Sequence, residues 1–140
     1  MAADLTQRIY DLCRDYMLGR LDVVLSGVDD DVDFIIYAPA EIVPRHGRQR
    51  GKAALASILL KAQSQFEYLS YQPHVVNGDG DTFAVVILAH LKHRTTGNVI
   101  PLFIASFVRF RAGLIVEMRE FVSRAEGVEQ LFARRNGRAR

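Results

Sequence analysis

The chain has no tryptophan and only one cysteine, Cys13, among 140 residues. A single thiol excludes an intrachain disulfide, so stability must come from packing. No apolar run approaches the roughly 20 residues that a membrane-spanning helix needs. The opening Met1-Ala2-Ala3-Asp4-Leu5-Thr6-Gln7-Arg8 carries no apolar signal core, so the expectation is a cytoplasmic chain without a membrane partner. Neither sign of charge dominates: 18 Lys and Arg against 16 Asp and Glu leave a net +2, which by itself argues for no nucleic acid. Basic residues do gather at 45–52 and 134–140, but no aromatic platform or binding motif accompanies them, and 133–140 reads as a solvated basic tail. No repeat, low-complexity segment or linker interrupts the chain. No serine-centred elbow is present, and Gly51 is not followed by the Lys-Ser/Thr of a phosphate loop.

What is present is a single α+β domain over 1–140 with a core at about 5–132. Leu5, Ile9, Leu12, Cys13, Tyr16 and Met17 recur at helical spacing. Gly19 breaks that helix, and Leu21, Val24, Leu25 and Val28 suggest a short second one. Asp29-Asp30-Asp31 reads as a turn before a first strand at 32–37. A loop with Pro39, Pro44, Gly47 and Gly51 follows, then a third helical stripe through Leu55, Ile58, Leu59, Ala62 and Phe66. From there the period changes to two: strands at 66–76, 82–94, 99–110 and 114–123, with turns at 77–81 and 95–98. Val128, Leu131 and Phe132 fit a closing helical turn. Helices first and an antiparallel meander afterwards predict a cone of three helices and a highly curved sheet, with the first and third helices over the concave face, enclosing a pocket. The long strands are apolar on both faces, as Phe83, Val85 and Ile87 alternate with Ala84, Val86 and Leu88. The face turned away from the pocket then needs a cover, and a homodimer supplies it most simply.

The last strand carries the sharpest chemical signal. At a period of two, Leu114, Val116, Met118, Glu120 and Val122 share a face that is apolar except for Glu120. A carboxylate in an apolar row is costly unless paired, hydrogen-bonded or protonated, so Glu120 is either an ion-pair member or an acid/base. His90 interrupts another apolar strand. If its face lines the pocket, it can approach Glu120 as a proton-shuttling partner. His90 and His93 stand three apart on a strand and so face opposite ways, which excludes a shared metal, and no cofactor motif is present. Asn77-Gly78-Asp79-Gly80-Asp81 lacks the glutamate that a calcium loop requires twelve positions on, and is a turn. Arg45, His46, Arg48 and Arg50 sit where the pocket mouth should be and could attract an anion; a solvated loop is the plainer reading.

Tyr16-Met17-Leu18-Gly19-Arg20-Leu21-Asp22, Asp30-Asp31-Val32, Gly51-Lys52-Ala53-Ala54-Leu55 and Gly113-Leu114-Ile115-Val116 with Met118-Arg119-Glu120-Phe121 follow one another in an order that resembles the SnoaL-like branch of the nuclear transport factor 2-like superfamily. That superfamily also holds ketosteroid isomerases and limonene-epoxide hydrolases. The resemblance covers roughly 5–132 and implies a cone-shaped fold, usually dimeric, with a deep apolar pocket. It places Glu120 where epoxide hydrolases of this type carry a catalytic aspartate. Their arginine and aspartate on an earlier strand fall at Leu88 and His90, and their tyrosine and asparagine at Phe34 and Ile36. The isomerase base also falls at Ile36, the isomerase proton donor at Ser106, and the aspartate that often ends the last strand at Ser123. Neither constellation is complete, so neither named reaction is implied. The expectation is a pocket for a small apolar molecule, walled by Tyr16, Phe34, Ile36, Phe103, Met118 and Val122. Glu120 and His90 would be the acid/base pair of an isomerase, cyclase or hydrolase acting on a carbonyl or ring compound. The competing reading is a non-catalytic binding or dimerisation module of the same fold.

Overall fold

A computed structural model describes residues 2–40, 42 and 47–125. The amphipathic stripe of the N-terminal segment forms α1 (Ala2–Met17), which ends where Gly19 adopts φ +79° and donates to the Tyr16 carbonyl. The short α2 (Leu21–Ser26) follows and leads into β1 (Val28–Tyr37). Asp29, Asp30 and Asp31, expected as a turn, are part of this strand, whose pairing is irregular between Val28 and Asp33. After β2 (Gly47–Arg50) and α3 (Lys52–Gln65) come four long strands: β3 (Phe66–Asp79), β4 (Thr82–His93), β5 (Val99–Arg111) and β6 (Leu114–Arg124).

The six strands make one curved sheet in the order β2-β1-β6-β5-β4-β3. Neighbours are antiparallel except β1 and β6, which run parallel because the meander separates them in the chain. The α+β architecture is the expected one. The strand β2 was hidden because Gly47-Arg48-Gln49-Arg50 has no apolar alternation. Pairing with β1 and the Arg48–Asp33 ion pair at 2.7 Å hold it instead. The closing helical turn at 128–132 and the basic tail lie outside the described residues.

Helix α1 packs on β3, and α3 packs on β1 and β3. The inner face of β4 is Phe83, Val85, Ile87, Ala89 and Leu91, all buried, and that of β5 is Leu102, Ile104, Ser106, Val108 and Phe110. Phe34, Phe66, Phe83 and Phe110 are the largest fully buried side chains, and Phe83 meets Phe110 edge to face at 6.0 Å. The outer face is different. Leu88, Tyr37, Phe121 and Phe107 are 42%, 46%, 46% and 47% exposed there.

Candidate functional site: an apolar cavity around Glu120

Between the inner sheet face and the helices lies a cavity of about 150 Å³. Its wall is almost wholly aliphatic, with Cys13, Tyr16, Tyr68, Tyr71, Ser106 and Glu120 as the side chains that carry a dissociable or hydrogen-bonding proton. Three different local devices place them. Helical spacing puts Cys13 and Tyr16 on the inner face of α1. A bulge in β3 between Tyr68 and Ser70 shifts the alternation, so that Tyr68 and Tyr71, three apart, both reach the cavity. Strict register across β5 and β6 sets Ser106 opposite Glu120.

Ser106 Oγ donates to Glu120 Oε2 at 3.2 Å. Burial pushes the Glu120 carboxyl above the usual carboxylate range, and the Ser106 hydrogen bond offsets part of that rise. Among the described residues no arginine, lysine or histidine lines the cavity, so no cation is there to hold Glu120 ionised. The hydroxyls of Tyr16 and Tyr68 are 2.6 Å apart, and either can donate. The ring of Tyr16 also lies against Tyr71 at 5.3 Å. Burial first, and the nearby Glu120 charge in addition, push Tyr68 up to about 12 and Tyr71 well above its ordinary value. Tyr16 rises for the same reasons and through its contact with Tyr68. Cys13 is pushed up to about 12 by burial and then by Glu120, so it is a thiol and not a nucleophile. Curvature thus brings β3 and α1 close enough to Glu120 for one charge to be felt by all four groups.

The expected site residues divide. Glu120, Tyr16, Ile36, Met118 and Val122 line the cavity together. His90 does not. It lies on the outer face of β4 with Ala84, Val86 and Leu88, and its Nδ1 is 2.9 Å from Ser70 Oγ. The physical reason is alternation: odd-numbered residues of β4 face inward, so an even-numbered one cannot meet Glu120. Phe103 is likewise outward, beside Tyr37 and Phe121. Phe34 points inward but is fully buried in the core and off the cavity wall. On β6, Ile115 rather than Leu114 or Val116 lines the cavity. A bulge opposite Arg109 and Phe110 inserts one residue and reverses the alternation below Glu117. Arg45 and His46 lie outside the described residues, while Arg48 is spent on Asp33. Among the described residues no cluster of His, Cys, Asp or Glu could hold a metal ion, and no helix is long and apolar enough to cross a membrane. Tyr68, Tyr71 and Ser106 were not expected as partners of Glu120. The two tyrosines required a bulge that leaves no mark in the sequence, whereas Ser106, a lone hydroxyl in an apolar row, was a readable signal.

Solved structures share this architecture. An NTF2-like protein from Burkholderia xenovorans is 25% identical with a TM-score of 0.71, over 88% of this chain and 92% of that one. A protein provisionally named an isomerase, from Rhodopseudomonas palustris, is 24% identical with a TM-score of 0.71, over 87% and 90%. One provisionally named a polyketide cyclase, from Xanthomonas campestris, is 18% identical with a TM-score of 0.70, over 86% and 90%. No curated protein matches the chain. The family model described as the SnoaL-like domain matches residues 8–118, most of the fold just described, and the chain therefore belongs to the SnoaL-like family.

Proposed function

We propose that the chain is a small-molecule enzyme that moves a proton on an apolar carbonyl compound, with Glu120 as the acid/base. The observation that carries this reading is one carboxyl in a largely aliphatic cavity, with its proton affinity raised by burial and, among the described residues, no cation on the cavity wall. Raising a carboxyl toward neutral pH is what general acid–base work requires. One such group suffices for a shift of a double bond. Glu120 as carboxylate takes a proton from the carbon beside the carbonyl, and the electron pair moves onto the carbonyl oxygen as an enolate. The Tyr16–Tyr68 pair has one hydroxyl proton not used between them, which can hydrogen-bond that oxygen while staying on the tyrosine. Glu120 then returns its proton to the far carbon. The provisional isomerase and cyclase names of structural neighbours are compatible with this class of chemistry. The family match ends at residue 118, so the role of Glu120 rests on the cavity and not on that match.

A non-catalytic binding module is the second reading, and one observation favours it: with His90 outside, the described cavity wall offers no second base. The two are separated by following exchange of the ring protons of 2-cyclohexen-1-one in deuterated water by NMR. An enzyme accelerates exchange, and Glu120→Gln lowers the rate by about 100-fold or more, the usual worth of a general base. Acceleration that survives Glu120→Gln removes Glu120 as the base, and no acceleration in the wild type leaves the binding module. The reading also includes a homodimer, with the apolar outer sheet face covered by a second copy.

A further inference from the structure

The size and the charge of the cavity limit what it can take. The cavity is open on one side, and its volume of about 150 Å³ gives room between its walls for one benzene-sized group. Ile87, Leu91, Leu102 and Ile104 wall the sheet side with side chains rooted in the buried core, so this side does not widen without repacking. An anion placed here would meet Glu120 and, among the described residues, no compensating cation. A cation would have to form a buried ion pair with a carboxylate that, among the described residues, has one side-chain hydrogen bond, from Ser106. That arrangement does not repay the desolvation of two charges. A neutral oxygen is the group that the wall suits, since hydroxyl and carboxyl groups can both donate to it.

We propose that this cavity selects an uncharged molecule of about one ring that bears a single carbonyl or hydroxyl oxygen, seated with that oxygen toward Glu120 and the tyrosines. The inference deepens the enzymatic reading and rests on it for the orientation of the oxygen. It excludes a fused polycyclic ketone as the group held inside. In anthrone the carbonyl sits on the middle ring, and reaching Glu120 would carry the flanking rings into a space for one.

The test is a binding panel on the full chain by titration calorimetry, with NMR line broadening as a second readout. The probes are phenol and 2-cyclohexen-1-one, benzoate and benzylamine as charged counterparts, and anthrone as the wide ketone. The neutral one-ring probes are expected to bind at least tenfold more tightly than benzoate, benzylamine or anthrone. Ala62→Leu fills the cavity from α3 with a good helix former, and should weaken the one-ring probes at least tenfold. Failure of both one-ring probes to bind the wild type below about 10 mM overturns the proposal. So does tighter binding of anthrone or of either charged probe, or an affinity unchanged in Ala62→Leu. Glu120→Gln separates this result from the enzymatic reading. One-ring binding with no exchange chemistry sinks the catalysis and keeps the selectivity, whereas exchange on a wide or charged substrate does the reverse.

Discussion

Ser106 and Glu120 face each other across β5 and β6, and the serine hydroxyl donates to Glu120 Oε2 at 3.2 Å. This bond favours the charged carboxylate against a burial that disfavours it. Ser106→Ala should therefore raise the Glu120 pKa further. If Glu120 is the base, the acidic limb of the pH–rate profile moves to higher pH, with little change in the plateau. A profile with an unmoved limb would show that the hydroxyl does not tune the carboxyl.

Glu120 also links stability to pH. A carboxyl whose folded-state pKa lies above its ordinary value of 4.5 binds its proton more tightly when folded. Its contribution is then fully present below about 4.5 and is lost as pH rises through the folded value. Glu120→Gln cannot ionise, so it should escape that loss. The variant is expected to melt above the wild type at pH 8 and at or below it at pH 4. A wild type more stable than Glu120→Gln at pH 8 would mean that the carboxylate has a cationic partner after all. Greater stability together with lost turnover is the pattern expected when an active site stores unfavourable burial.

The architecture was legible because the apolar periods are long. The stripe from Leu5 to Met17 and the alternation through β4 and β5 each contain enough repeats to define a face. What failed was anything decided by one residue of register. His90 was assigned to the cavity although Val85 and Ile87 were equally apolar, and only the packing of α1 and α3 on one side of the sheet decides between two apolar faces. Val116 and Leu114 were assigned to the Glu120 face because alternation was carried through a bulge. The strand β2 was invisible because its polar residues are held by pairing and by Asp33, not by burial.

The outer face offers a separate test. Tyr37 and Phe121 stack at 5.4 Å and Phe107 meets Phe121 at 6.4 Å, forming an aromatic surface with Leu88 nearby on the sheet. Exposed apolar area of this kind is commonly an interface. Arg109, Glu117, Arg119, Asp33 and Arg48 form a ladder of alternating charge across β5, β6, β1 and β2 beside it. Sedimentation of the wild type at micromolar concentration should give a dimer, and Phe107→Glu a folded monomer. A wild-type monomer, or a dimer unaffected by Phe107→Glu, removes this face from consideration.

Phe34 separates packing from recognition. It was expected to touch substrate, yet it is fully buried on the inner face of β1 and absent from the cavity wall, whereas its strand neighbour Ile36 lines that wall. Phe34→Ala removes a large core side chain and should cost about 3–5 kcal/mol. Phe34→Leu keeps most of the volume and should cost less, with one-ring ligand affinity unchanged. Ile36→Val removes one methyl group and should cost only about 0.5–1.5 kcal/mol, while changing ligand affinity because it enlarges the cavity itself. Denaturant titration and ligand binding on the same samples distinguish the two roles. A change in affinity with Phe34→Leu equal to that with Ile36→Val would place Phe34 in the ligand's surroundings, contrary to its position behind the wall.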